Sequence, residues 1–126
     1  MKKIQCFVLL FLFTGTLFAQ QNAATLNLIP VPVSIKQGQG QCMLPYNATI
    51  YYNGQEDARK IVNQLADRLN TGGNLIQIKK GKSALPGSIN YVLTNEPGIP
   101  AEGYQLIVSQ KNITLKASNT AGLFYG

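Results

Sequence analysis

Asn53-Gly54-Gln55-Glu56-Asp57-Ala58-Arg59-Lys60-Ile61-Val62-Asn63-Gln64-Leu65-Ala66-Asp67-Arg68-Leu69-Asn70 decides how the rest of this chain is read. Ala58, Ile61, Val62, Leu65, Ala66 and Leu69 recur at three- and four-residue steps, so they share one face of a helix, while Arg59, Lys60, Asn63, Asp67 and Arg68 face water. Asn53 with Glu56 three residues on is a capping signal for a helix over Asp57–Asn70, and Thr71-Gly72-Gly73 ends it. An apolar stripe of this kind needs a sheet to cover. Ala48-Thr49-Ile50-Tyr51-Tyr52 before it and Leu75-Ile76-Gln77-Ile78-Lys79 after it have strand character, which sets the order strand, helix, strand.

Working outward, Cys42-Met43-Leu44 is a further short strand candidate, set off by Gly38 and Gly40 on one side and Pro45-Tyr46-Asn47 on the other. Leu26 to Ile35 contains Pro30 and Pro32, which forbid regular helix and leave a strap, paired at most along a sheet edge. Downstream, Ser83 to Ser88 reads as a loop and Ile89-Asn90-Tyr91-Val92-Leu93 as a strand, followed by a Pro/Gly-rich connection from Thr94 to Ala101. Tyr104–Val108 and Ile113–Ala117 flank the polar loop Ser109-Gln110-Lys111-Asn112 and predict a hairpin. The last residues, from Ser118 to Gly126, read as a helix start with Asn119 as cap and no stop signal, hence as one module of something longer. The fold class expected is α+β: a mixed sheet, one covering helix and a second helix cut short.

Composition narrows the function. Met1-Lys2-Lys3, the apolar run from Ile4 and the small Ala19 before Gln20-Gln21-Asn22 predict a signal peptide over residues 1–19, with an uncleaved anchor as the alternative. Cys6 precedes the apolar centre and does not resemble a lipoprotein acceptor. Residues 20–126 suffice for one small domain. They contain a single cysteine, Cys42, so no internal disulfide is expected. Without any histidine in the chain, Cys42 reads as a small apolar residue rather than a nucleophile, and a metal site has no support. The net charge of +6 falls further when Lys2 and Lys3 leave with the leader. Lys79, Lys80 and Lys82 lack interleaved aromatics and read as a solvated turn, not a nucleic-acid surface.

Leu28-Ile29-Pro30-Val31-Pro32, the single helix before a strand, Glu102-Gly103-Tyr104-Gln105-Leu106 with Ile113-Thr114-Leu115, and Ala121-Gly122-Leu123-Phe124-Tyr125-Gly126 together resemble the N-terminal, non-catalytic domain of family 20 glycoside hydrolases. Those enzymes are β-N-acetylhexosaminidases. The resemblance spans Leu26 to Gly126 and implies a two-layer α+β domain that precedes a TIM-barrel catalytic domain. In that arrangement Leu123, Phe124 and Tyr125 would lie on a helix packed between module and barrel, and without the barrel their apolar surface would lack a partner. On the barrel, an adjacent Asp-Glu pair would perform substrate-assisted retaining hydrolysis, the Glu protonating the leaving oxygen and the Asp orienting the substrate's 2-acetamido group.

The acids of this chain are Glu56, Asp57, Asp67, Glu96 and Glu102. Only Glu56 and Asp57 are neighbours, and in the first turn of a helix they are explained by the helix dipole. Glu102 belongs to the family-like motif and is expected to satisfy backbone donors in the preceding connection. Gly122 and Gly126, four residues apart, are expected to let a helix approach another backbone closely. No catalytic, cofactor-binding or metal residue is therefore assigned, and no cofactor is expected. Asn47-Ala48-Thr49 and Asn112-Ile113-Thr114 match glycosylation acceptors, a pattern that carries little weight alone. Tyr46, Tyr51 and Tyr52 supply the alternative, a free-standing carbohydrate-binding or interaction module with a sugar-stacking surface. The N-terminal domain of another acetamido-sugar hydrolase family is a third reading. The partners expected are the barrel itself and, through it, a glycan; the localisation expected is the periplasm or the medium.

Overall fold

The computed structural model describes Leu28, residues 31–83 and residues 85–126. The leader assigned to residues 1–19 and part of the strap lie outside the described residues. The chain divides into two units, Met1–Lys36 and Gln37–Gly126. In the first, Leu28 and residues 31–36 carry no helix or strand, as two prolines in ten residues dictate.

The second unit contains β1 (Thr49–Tyr52), α1 (Glu56–Thr71), β2 (Gln77–Lys80), β3 (Ile89–Leu93), β4 (Tyr104–Val108), β5 (Ile113–Ala117) and α2 (Thr120–Tyr125). The strands form one sheet in the order β2-β1-β3-β5-β4. β2, β1, β3 and β5 run parallel, and β4 closes one edge antiparallel to β5. Both helices pack on the sheet and on each other, giving the α+β module with a mixed sheet that the residue pattern predicts.

Register explains the core. Ile78, Ile50, Ile89 and Ile113 stand opposite one another across four strands, and the next row on the same face is Tyr52, Tyr91 and Leu115. Because strand side chains alternate, this places both rows beneath the helices. Ala58, Val62 and Ala66 of α1 meet them, with Ile61, Leu65 and Leu69 at the flanks. Small residues at the centre of the helix stripe let its backbone lie close to large residues on the strands. The opposite face carries Tyr51, Asn90, Thr114 and Lys116. Its buried Asn90 is satisfied by a backbone hydrogen bond from Ser83 N (2.9 Å) and by donating to Ser88 Oγ (3.4 Å).

Several local expectations require correction. Asn53 does not cap α1. Its side chain bridges to β3, donating to Leu93 O (2.8 Å) and accepting from Leu93 N (2.6 Å), so it prolongs the β1 ladder by one amide. The N-cap is Gln55, whose side chain makes no capping bond, and α1 starts one residue earlier than expected, at Glu56. Gly54 makes the turn between them at φ +115, where a side chain would also meet Leu93 and Ala58. β2 begins at Gln77 rather than Leu75, because Leu75 N bonds Tyr46 O (2.7 Å) and Ile76 N bonds the Asn70 side chain (2.7 Å) ahead of the ladder. Cys42-Met43-Leu44 forms no strand. That segment runs between a Gln110 side-chain bond to Gln39 O (3.2 Å) and the Pro45 turn, where Ala48 N reaches Pro45 O (3.0 Å), and it enters no strand ladder.

The second helix begins as the sequence predicts, with Asn119 Oδ1 accepting from Gly122 N (3.1 Å). Gly122 allows close approach: a Cβ there would collide with Gly103 O and Ala117 Cβ. A Cβ at Gly126 would collide with Leu115 and come within 3.0 Å of Tyr104. Leu123, however, does not await an external partner. It is 1% exposed and belongs to this module's own core, whereas Phe124 and Tyr125 are each 61% exposed.

Leu123 and Phe124 should accordingly respond differently to the same substitution. Leu123→Ser is expected to cost on the order of 3 kcal/mol or more, and Phe124→Ser less than about 1 kcal/mol; urea midpoints at equal m-value check this. Equal costs would return Leu123 to the surface. Gly122→Ala separates two opposing effects, since helix propensity favours alanine by about 1 kcal/mol while the clash with Gly103 O disfavours it by roughly 1–3 kcal/mol. A net loss of stability is expected, and a gain in thermal midpoint would show that α2 does not sit this close to the sheet.

Candidate functional site

Part of the module's apolar surface surrounds a cleft. This cleft, of about 220 Å³, lies between the middle of α1 and the hairpin and is walled by Leu65 of α1, Ile89 and Tyr91 of β3, Leu106 of β4, and Ile113 and Leu115 of β5. Leu44 closes one part of it and Gly126, at the end of α2, another. Tyr104, Leu106 and Val108 share the helix-side face of β4, as partners of Ala117, Leu115 and Ile113, and all three are exposed. Phe124 and Tyr125, adjacent in sequence, stand edge to face with each other, ring centroids 5.7 Å apart. Six residues of α2 are too few to roof the strand that it passes over, which leaves this face open.

Tyr91 contributes the cleft's one ionisable side chain. Burial pushes its phenol above the ordinary value of 10.0, since the interior disfavours the phenolate. A sugar site needs several convergent donors and acceptors. The cleft instead offers aliphatic walls, which suit an apolar side chain.

The acids are dispersed over the unit. Glu56 and Asp57 lie in the first turn of α1 and pair with Arg59 (3.5 Å) and Lys60 (3.4 Å), both exposed i,i+3 pairs. Glu96 pairs with Lys116 at 2.7 Å across the polar side of the sheet. Asp67 is exposed on the outer face of α1. Glu102 is exposed too, and the adjacent backbone donor, Gly103 N, donates to Pro100 O (2.9 Å) rather than to its carboxylate, while the carbonyls of Pro100 and Ala101 accept from Ser118 Oγ (2.7 Å and 3.2 Å). Ser118, one residue before the Asn119 cap, is thus the side chain that ties this connection to the start of α2.

The tyrosines do not form one platform. Tyr52 is in the core, Tyr51 points from the next position to the opposite face, and Tyr46 is exposed ahead of β1. Lys79 and Lys80 likewise alternate along edge strand β2, so with Lys82 they guard an edge rather than build a patch. Cys42 is a free thiol, half-buried rather than fully so. Among the described residues, no group of three or more Cys, Asp or Glu side chains could hold a metal, and no helix is long and apolar enough to cross a membrane. Asn47 is exposed, whereas the Asn112 side chain is engaged by Ser109 Oγ (3.0 Å).

Comparison with known proteins addresses the same residues. No curated protein sequence matches the chain. The model of glycosyl hydrolase family 20, domain 2, matches residues 25–126, which include the proline strap, every strand and helix described above, and the Gly122–Gly126 run. With most of its length matched in this way, the chain belongs to glycosyl hydrolase family 20, as that family's domain 2.

Proposed function

We propose that this chain is the non-catalytic N-terminal domain of an exported β-N-acetylhexosaminidase, supporting a TIM barrel that follows Gly126. The family match over residues 25–126 carries this reading. On that barrel an adjacent Asp-Glu pair hydrolyses terminal N-acetylhexosamine residues of glycans or chitin oligosaccharides with the substrate's acetamido group as nucleophile. The domain's own contribution is mechanical. Its carboxylates are spread over helix termini and loops, three of them in exposed or half-exposed ion pairs. The exposed Phe124 and Tyr125 sit next to the chain's last residue, where they meet the barrel. Residues 1–19 direct export, and the mature enzyme acts in the periplasm or the medium without a cofactor.

The alternative of a free-standing carbohydrate-binding module is weakened by the tyrosines. Tyr51 and Tyr52 face opposite sides of β1, so they present no shared stacking surface to a sugar.

Two measurements test the reading. The purified 126-residue chain is expected to leave an aryl β-N-acetylglucosaminide unhydrolysed above a buffer control, while the enzyme encoded by the whole reading frame hydrolyses it with retention at the anomeric carbon. Hydrolysis by the short chain that is lost on Glu102→Ala would overturn the support role, and a reading frame that stops at Gly126 would favour the binding module. Protein recovered from the periplasm or medium is expected to begin at Gln20 by intact mass, and a species that retains Ile4 to Leu12 would remove the export assignment.

A further inference from the structure

We infer that the cleft beside α2 is the seat of one apolar side chain carried on the next turn of that same helix, four residues beyond Gly126. This rests on the reading that more chain follows Gly126, and it adds what the first of that chain does: it completes this domain's core before any second domain begins.

The argument is one of register. Gly122 lies against Ala117, and Gly126 lies against Leu115, two residues earlier on β5. Helix α2 therefore runs back along β5, antiparallel to it. Four residues of helix advance about 6 Å, and two residues of strand about 6.6 Å, so the match persists for a further step. The next residue of β5 on this face is Ile113, which is half-buried and walls the cleft with Leu106 and Leu65. Gly126 already lines the cleft. The packing of α2 on β5 thus continues directly into the void, whose walls are aliphatic apart from Tyr91. Residues five and six beyond Gly126 would point away from the sheet, since successive side chains turn about 100° around the axis.

Two extensions of the 126-residue chain test this. Each adds the same eight helix-forming, otherwise polar residues after Gly126, one with a leucine four residues on and the other with that leucine six residues on. The first is expected to raise the thermal midpoint by on the order of 5 °C over the second, and Ile113→Ser in the cleft is expected to abolish most of that difference. Equal midpoints for the two extensions would overturn the inference, as would a difference that Ile113→Ser leaves intact. So would a dimer of the unextended chain that Leu106→Ser converts to monomer, for then a second copy occupies the cleft. Because the extensions are synthetic, their failure leaves the hydrolase reading standing, and a parent without a barrel leaves the cleft result standing.

Discussion

Four parallel strands need cover that hairpins do not supply, and in this module the contact of α1 with the isoleucine row is what the other elements depend on. Ile50 and Ile89 sit at the centre of the row, with Ala58, Val62 and Ala66 above them. β3 is buried along most of its length, on both faces, as the inner strand of a largely parallel sheet. Burying a Val, Leu or Ile side chain is worth roughly 1.5–3 kcal/mol, so this one layer supplies much of what holds β1, β2 and β3 together. The exposed ion pairs on α1 add little beside it, each being worth about 0–1 kcal/mol.

The far half of the sheet is organised by backbone proximity instead. Gly122 and Gly126 set α2 directly on Ala117 and Leu115, and Leu123 then reaches the core. Ser118 and Asn119 prepare that approach, one by fixing the Pro100–Ala101 turn and the other by capping the helix. The two sheet edges are correspondingly unlike. Edge strand β2 carries Lys79 and Lys80, the usual defence against further pairing, while β4 exposes Tyr104, Leu106, Ile107 and Val108 without a charge.

The two physical sources differ in how legible they are in a sequence. Periodicity reveals α1, β3 and the hairpin because each is written in consecutive residues with a period of 3.6 or 2. Thr71-Gly72-Gly73 and Asn119 were legible for the same reason, each being local chemistry at a helix end. What escaped depends on partners far along the chain. Asn53 resembles a cap until Leu93, forty residues on, engages both ends of its amide. Cys42-Met43-Leu44 has the apolar character of a strand, yet it joins neither outer strand of the sheet, β2 or β4. Glu102 has the chemistry to accept from backbone donors, but the turn satisfies Gly103 N with its own Pro100 carbonyl, and Ser118, fifteen or more residues on, donates to the carbonyls. Leu123 reads alike with its apolar neighbours Phe124 and Tyr125 in the sequence, and only the rotation of α2, which buries the first and exposes the other two, distinguishes them.

That rotation gives one short helix two roles, closing the module's own core on one side and leaving aromatic rings exposed on the other. Leu123 points inward and holds α2 to the sheet, while Phe124 and Tyr125, the next two positions, are carried outward by the same backbone. A partner packed on those two rings would therefore feel the sheet through a single buried leucine and two glycines, with no loop in between. The coupling is steric and needs no polar group to be buried. In keeping with this, no buried side-chain nitrogen or oxygen among the described residues is left without a hydrogen-bond partner.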